Sequence, residues 1–196
     1  EIAAEIDLTL ATYGFEDRAF PTIVASGPNS ALPHAHPSER AVETGDLVLL
    51  DFGGVYDGYC VDLSRTVCIE PVGEQASRVH AAVREAQQAA IATVRPGVVA
   101  SEVDAAARST LARYELAETF GHGTGHGLGL EIHEAPRVGQ SGQPGTGAIL
   151  RPGMVFTIEP GVYLPGVGGV RIEDDVVVTE NGCELLTNGS RDLVTR

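Results

Sequence analysis

Four acidic residues in apolar surroundings are the first candidates for chemistry in this chain. Asp51 and Asp62 lie in the runs LVLLDFG and YCVDLS, and Glu159 and Glu173 lie in FTIEPG and VRIEDD. Apolar, β-rich runs around Gly- and Asp-containing turns predict β-hairpins. We therefore expect the two aspartates on one hairpin and the two glutamates on another.

Each predicted hairpin can place its two acids directly opposite one another. A register centred between Tyr56 and Asp57 pairs the two aspartates, and a register centred on Gly166 pairs the two glutamates. Two like charges ~4 Å apart repel by about 4 kcal/mol at an effective dielectric of about 20. Such pairs persist when they share a proton or hold a metal. The alternative is structural, with the aspartates capping turns and the glutamates paired with Arg65 or Arg171.

Three of the six histidines lie in the glycine-rich stretch GHGTGHGLGLEIHE, residues 121–134. Each glycine costs about 1 kcal/mol in a helix relative to alanine, so this stretch is expected to be extended or looped. In a strand, His122, Thr124 and His126 would lie on one face, with the glycines behind them. Four carboxylates with one imidazole make an oxygen-rich donor set, which suits Mn²⁺, or Co²⁺ and Zn²⁺ in bridged pairs.

Composition limits the classes of partner. The formal net charge of −14 and the absence of lysine disfavour nucleic acid, because phosphate binding needs clustered basic residues. No apolar run reaches the ~18 residues of a membrane span, so no membrane partner is predicted. Three cysteines without a motif spacing argue for a reducing compartment, and we expect the cytoplasm.

The remaining elements predict an α+β fold. A strand is expected within 19–29, and the run EQASRVHAAVREAQQAAIAT has the apolar stripe of an amphipathic helix. Ser101 and Asp104 form a predicted capping box that opens a further helix to about Tyr114. Antiparallel hairpins with helices between them, without strict βαβ alternation, are typical of the α+β class.

Five motifs occur in order between about residues 20 and 180: SGPNSALPH, LLDFGGVYDGYCVDLSRT, GHGTGHGLGLEIHEAP, GMVFTIEPGVY and GGVRIEDDVVVT. With these motifs the chain resembles the pita-bread metallopeptidases, which include methionine aminopeptidase, aminopeptidase P and prolidase. The histidine motif and GGVRIEDD are most similar to the Xaa-Pro branch, aminopeptidase P and prolidase. The resemblance implies a pita-bread fold, in which helices cover a curved antiparallel sheet with two halves related by a pseudo-twofold axis.

The same resemblance implies a dinuclear metal centre with five ligands. Asp62 and Glu173 are expected to bridge the ions. Asp51 is expected to complete one metal position, and His126 with Glu159 the other. Two divalent ions would neutralise the four carboxylates, and Mn²⁺ is the favoured ion, with Co²⁺ or Zn²⁺ as alternatives.

Further roles come from the resemblance, residue by residue. His34, in ALPH, is expected to contact the scissile amide, and His133, in EIHE, to stabilise the tetrahedral intermediate. Glu159 is expected to carry a proton from water to the leaving nitrogen. His122 is expected to form a wall of the substrate pocket, and Arg171 to bind substrate or to support a ligand.

The implied function is hydrolysis of the bond between an N-terminal residue and proline, as an Xaa-Pro aminopeptidase or dipeptidase. A methionine aminopeptidase-like enzyme or another C–N hydrolase on this fold is an alternative, and a non-catalytic peptide-binding module is another. Residues 1–196 are expected to form a single catalytic domain that begins within its first helix, without the N-terminal domain usual in the branch. A homodimer is compatible with the resemblance.

Overall fold

The computed structural model describes residues 1–196 as three helices and twelve strands. The helices are α1 (Ile2–Thr12), α2 (Glu74–Thr93) and α3 (Ala100–Arg113), and short 3₁₀ helices cover Gly27–Ala31 and Ala117–Thr119. The strands are β1 (Asp17–Arg18), β2 (Ile23–Ser26), β3 (Leu47–Tyr56), β4 (Tyr59–Cys68), β5 (Gly125–Gly127), β6 (Glu134–Val138), β7 (Val155–Ile158), β8 (Gly161–Leu164), β9 (Gly168–Arg171), β10 (Asp174–Val178), β11 (Cys183–Leu185) and β12 (Val194–Thr195).

Two five-stranded sheets and one two-stranded ribbon make up the β structure. The first sheet has the order β1-β3-β4-β12, with β2 also paired to β3, and the second has the order β11-β10-β7-β5-β6. The ribbon is β8-β9. All pairings are antiparallel except that of β12 with β4. The α+β class is thereby confirmed, and none of the helices is long and apolar enough to cross a membrane.

The helices α2 and α3 pack together and supply much of the core. Their inward faces carry mainly small apolar residues, which let the helices approach closely, and the main members are Val79, Ala82, Val83, Ala86, Ala90, Val103, Ala107 and Leu111. The predicted stripe on α2 is confirmed. The predicted capping box on α3 is wrong, because Val99 caps the helix and its N–H donates to the Glu102 carboxylate at 3.2 Å. Asp104 is buried and has other partners.

The first hairpin forms as predicted, but its register is shifted by two residues. Asp51 lies opposite Ser64, not opposite Asp62. The two central turn residues are Asp57 and Gly58, with φ of 49° and 77°. Two-residue hairpin turns need positive φ at these positions, and Asp and Gly tolerate it better than Tyr does. Because side chains alternate along a strand, a shift of two keeps both aspartates on the same face.

The second predicted hairpin comprises β7 and β8 on one side of its turn and β9 and β10 on the other, and we call it the second ribbon. It has the register predicted around Gly166, with Gly161 opposite Arg171 in the β8-β9 pair. The ribbon is nevertheless interrupted. Glu159 and Glu173 lie in the gap between the β7-β10 ladder and the β8-β9 ladder and belong to neither. Pro160 falls within this gap, and proline has no N–H to donate to a ladder. The two glutamates are therefore held by irregular backbone, whereas both aspartates lie within regular strands.

Candidate metal centre

One cavity of about 590 Å³ gathers the candidate residues from both sheets. Its lining includes every residue that the sequence predicted for the site, namely His34, Asp51, Asp62, His122, His126, His133, Glu159, Arg171 and Glu173. The first hairpin supplies the two aspartates, the histidine-rich segment supplies three histidines, and the interrupted ribbon supplies the two glutamates and the arginine. Residues more than 100 positions apart in the sequence therefore face one another.

Three side chains lie close enough together to bind one ion. Asp62, His126 and Glu173 each offer a donor atom, and these atoms all lie within 4.8 Å of one another. The Nε2 atom of His126 is 3.6 Å from a carboxylate oxygen of Asp62 and 3.5 Å from one of Glu159. Nδ1 of the same ring is 3.0 Å from the Gly127 carbonyl oxygen, so a proton on Nδ1 leaves Nε2 free to face the carboxylates.

Buried carboxylate oxygens without partners indicate what the cavity binds. Asp51 Oδ1, Asp62 Oδ1 and Glu173 Oε1 are buried and accept no hydrogen bond. Leaving a buried acceptor unsatisfied costs about 1–3 kcal/mol, and more for a charged group. Oxygen donors with a single imidazole suit hard divalent ions such as Mn²⁺. The residues of the cavity therefore fit a divalent metal centre.

The ionisation of the acids leads to the same conclusion. Burial raises the pKa values of Asp62 and Glu173 well above the usual carboxyl range, and neighbouring carboxylates raise them further. Burial also raises the pKa of Glu159 to about 8, although the Arg171 guanidinium opposes this shift. These three acids lack enough positive charge around them to offset their burial. Bound divalent cations would supply that charge and favour the carboxylate forms.

Arg171 supports the acids and does not face open solvent. Its Nη2 donates to Asp51 Oδ2 at 2.5 Å, its Nε donates to Ser64 Oγ at 2.9 Å, and its Nη1 donates to the Tyr163 hydroxyl at 2.7 Å. Ser64 in turn donates to Glu173 Oε2 at 2.6 Å. Since Arg171 is only 3% exposed, these contacts fit the expected role of supporting a ligand better than that of binding substrate.

The structural alternative for the glutamates is wrong. The ion pair of Arg171 is with Asp51, and that of Arg65 is with Asp174 at 2.8 Å. Neither Glu159 nor Glu173 has an arginine partner for its side chain. Both glutamates are instead directed into the cavity, where the aspartates also lie.

Before β6 begins at Glu134, the histidine-rich segment is extended only over Gly125–Gly127. The prediction that Thr124 shares a face with the two histidines is wrong, because its hydroxyl donates to Asp104 on α3 at 2.8 Å. A Cβ on Gly125 would lie 1.9 Å from the Thr157 carbonyl oxygen, and one on Gly127 would lie 2.2 Å from that of Ala135. These glycines thus permit close approach of neighbouring backbone.

The histidines of the cavity hold different positions. The rings of His126 and His133 lie edge to face with centroids 4.3 Å apart. Nε2 of His122 is 2.7 Å from the Tyr163 hydroxyl. Burial lowers the pKa of His122 to about 4 and also lowers that of His126, so both rings are neutral at pH 7. His34 approaches the cavity from the segment after the first 3₁₀ helix.

Arg137 is a cavity residue that the sequence did not reveal. It lies opposite His126 in the β5-β6 pair and lines the cavity, yet its guanidinium forms no hydrogen bond or ion pair with the rest of the chain. Its only signal was its position in HEAPR, four residues after His133. The pairing could not be predicted, because the register shifts between His126 and Gly127.

An α+β chain that gathers four carboxylates and an imidazole in one cavity has the features of a metal-dependent hydrolase. The chain belongs to metallopeptidase family M24, whose profile matches residues 1–180.

Relatives share both the sequence and the fold. The chain is 44% identical over 194 residues to an Xaa-Pro dipeptidase of Pyrococcus horikoshii, covering 99% of this chain and 54% of that protein. A prolidase from Thermococcus sibiricus superposes with a TM-score of 0.95 at 46% identity, covering 100% of this chain and 53% of that one. An X-Pro aminopeptidase from Thermotoga maritima also gives 0.95, at 42% identity and with 100% and 54% covered.

These similarities confirm the predicted pita-bread fold of curved antiparallel sheets covered by helices. The chain spans about half the length of the curated relatives it matches. Dipeptidases and an aminopeptidase are matched equally well, so the comparisons do not separate these two activities.

Proposed function

We propose that the chain hydrolyses the peptide bond between an N-terminal residue and proline, using two divalent metal ions, with Mn²⁺ as the first candidate. The observation that carries the proposal is the convergence of five ligand-type side chains on one cavity, three of them with buried oxygens that lack partners. The names of the relatives, Xaa-Pro dipeptidase and prolidase, support the substrate class. Because both sheets contribute to one cavity, we also propose that residues 1–196 form a single catalytic domain.

The five ligands would divide between two metal positions. Asp62 and Glu173 would be shared, Asp51 would complete one position, and His126 with Glu159 would complete the other. When bound, a pair of divalent ions lowers the pKa of a water molecule to near neutrality and polarises the substrate carbonyl. The protein groups around them would then handle protons and orient the peptide.

The remaining polar residues would act on the substrate. Glu159 would accept a proton at its carboxylate and return it to the leaving nitrogen. His133, whose ring contacts that of His126, would donate a hydrogen bond to the developing oxyanion. His34 would contact the scissile amide. His122 would form the pocket wall, held by Tyr163 at 2.7 Å.

The lining of the cavity also supports a preference for proline and for short substrates. A bond to proline has no N–H, so recognition must come from shape, and Phe20, Ile23 and Ile132 give the cavity an apolar side. Arg137 offers an unpaired guanidinium, which can bind a carboxylate with two parallel hydrogen bonds. In an Xaa-Pro dipeptide the proline itself carries such a carboxylate, so Arg137 favours the dipeptidase activity over the aminopeptidase activity.

Three substrates test this proposal. With Mn²⁺ added, the chain is expected to cleave Ala-Pro faster than a longer Ala-Pro peptide and not to cleave Met-Ala-Ser. Cleavage of Met-Ala-Ser alone would favour the methionine aminopeptidase alternative. No metal-dependent hydrolysis of any of the three would favour the non-catalytic binding module.

A further inference from the structure

An ion pair on α3 lies behind the metal centre and contacts the segment that carries the site histidines. Asp104 is 1% exposed, and its carboxylate accepts a hydrogen bond from Arg108 Nε at 2.7 Å. The two residues are one helical turn apart, which is the spacing for such a pair. We call Asp104 and Arg108 the α3 clamp.

The α3 clamp holds the backbone between Phe120 and Thr124. Asp104 Oδ1 accepts hydrogen bonds from the Thr124 N–H at 3.1 Å and from its hydroxyl at 2.8 Å. Arg108 donates to the carbonyl oxygens of Phe120, at 2.9 Å, and of His122. Its guanidinium also lies 4.3 Å from the centroid of the Phe120 ring. One ion pair therefore fixes the segment at three points.

The held segment connects directly to two of the metal ligands. The Thr124 carbonyl oxygen accepts a hydrogen bond from the backbone N–H of Glu159 at 2.7 Å. His126 follows two residues later on β5. Glu159 otherwise has little support, because its side chain accepts only one hydrogen bond, from Thr157 Oγ1 at 3.2 Å. The position of Glu159 therefore depends on the Thr124 carbonyl oxygen.

We propose that Asp104 and Arg108 are positioning residues for the metal position that His126 and Glu159 complete. This inference rests on the proposed division of ligands between two metal positions. The other position is supported by Arg171, which binds Asp51 at 2.5 Å and contacts neither Asp104 nor Arg108. Arg171 reaches the held segment only indirectly, through the Tyr163 hydroxyl and the His122 ring. Damage to the clamp should therefore weaken one metal position and spare the other.

The test is a calorimetric Mn²⁺ titration of the chain, which needs no catalytic turnover. Arg108→Lys keeps the charge but cannot bridge two carbonyl oxygens and a carboxylate at once. We expect about 10- to 100-fold weaker binding of one ion, with the second ion within about twofold of wild type, as for residues that orient ligands. The matched control is Arg40→Lys. Arg40 also pairs with a buried aspartate, Asp46, at 2.5 Å, but neither residue lines the cavity.

A milder pair of variants covers the case in which Arg108→Lys does not fold. Thr124→Val removes only the hydroxyl that binds Asp104. Thr146→Val makes the same change at a residue that is 1% exposed, compared with 0% for Thr124. The Thr146 hydroxyl donates within its own loop to the carbonyl oxygens of Gln140 and Gln143. Weaker binding of one Mn²⁺ ion in Thr124→Val, but not in Thr146→Val, would support the role of the α3 clamp.

Equal Mn²⁺ affinities for Thr124→Val, Thr146→Val and wild type would overturn the proposed role of the α3 clamp. So would a loss of both ions in equal measure. Glu159→Gln separates this result from failure of the proposed function. If Glu159→Gln binds two Mn²⁺ ions as wild type does, the ligand assignment itself is wrong.

Discussion

The two hairpins that carry the acids hold these side chains in different ways. In the first hairpin, Asp51 and Asp62 lie within an uninterrupted ladder of ten residue pairs. In the second, Glu159 and Glu173 lie where the ladder breaks between β7-β10 and β8-β9. A regular strand directs side chains by its own alternation, whereas a break leaves them to be directed by neighbouring groups. Apart from the Thr157 hydroxyl, which donates to Glu159 at 3.2 Å, the contacts that support the glutamates come from outside their ribbon.

The hydrogen bonds of all four acids reach elements that are distant in the sequence. Asp51 pairs with Arg171, and the backbone N–H of Asp62 donates to Asp175 at 3.1 Å. Glu173 depends on the Ser64 hydroxyl of the first hairpin. Glu159 depends on Thr124, which α3 holds. All four acids thus have distant partners, but only the two aspartates also lie within a regular ladder.

The largest effect is expected from losing a shared ligand of the second ribbon. Glu173→Gln should lower metal-dependent activity by about 10³-fold or more, because the bound metals supply several kcal/mol of transition-state stabilisation. Elemental analysis should show less metal per chain. Glu184→Gln, at an exposed glutamate on β11, is the matched control. Near-normal turnover of Glu173→Gln with excess Mn²⁺ would exclude a ligand role.

A smaller effect is expected from a change at Arg171, which supports Asp51 of the first hairpin. Arg171→Lys should weaken the metal position of Asp51 by about 10- to 100-fold, because a lysine cannot replace contacts with Asp51, Ser64 and Tyr163 together. Combined with the clamp variant, it should weaken both positions. If Arg171→Lys and Arg108→Lys weaken the binding of the same ion, the two metal positions do not have separate supports.

His133 provides a contrast between metal binding and catalysis. His133→Ala should leave two metal ions bound and lower kcat by about 10²-fold, the usual cost of one oxyanion donor. Metal content from elemental analysis and kcat on Ala-Pro measure the two effects separately. A loss of metal would make His133 a ligand.

The smallest effect is expected at Arg137. Arg137→Ala should raise KM for Ala-Pro by about 10-fold, the value of one charge-assisted contact, and change KM little for Ala-Pro amide. Steady-state kinetics on the two substrates measure the difference. Equal changes for both substrates would show that Arg137 does not bind the carboxylate.

Much of this site could be predicted because its residues lie in periodic or distinctive motifs. The hairpins, the shared face of Asp51 and Asp62, and the cavity residues follow from strand alternation and from motif resemblance. The register of the first hairpin could not be predicted from its centre of symmetry, because the positive φ of Asp57 and Gly58 decided it. Asp104 has the sequence signature of a cap, but a tertiary contact with Thr124 determines its role.

The most direct test of the central claim is the number of metal ions that the chain binds. Equilibrium dialysis against Mn²⁺ followed by elemental analysis should give two ions per chain, and Asp62→Asn should reduce this number. Two ions in the wild-type chain and fewer in Asp62→Asn would agree with a centre in which both ions share carboxylate ligands. Wild-type protein that binds no Mn²⁺, Co²⁺ or Zn²⁺ would contradict it.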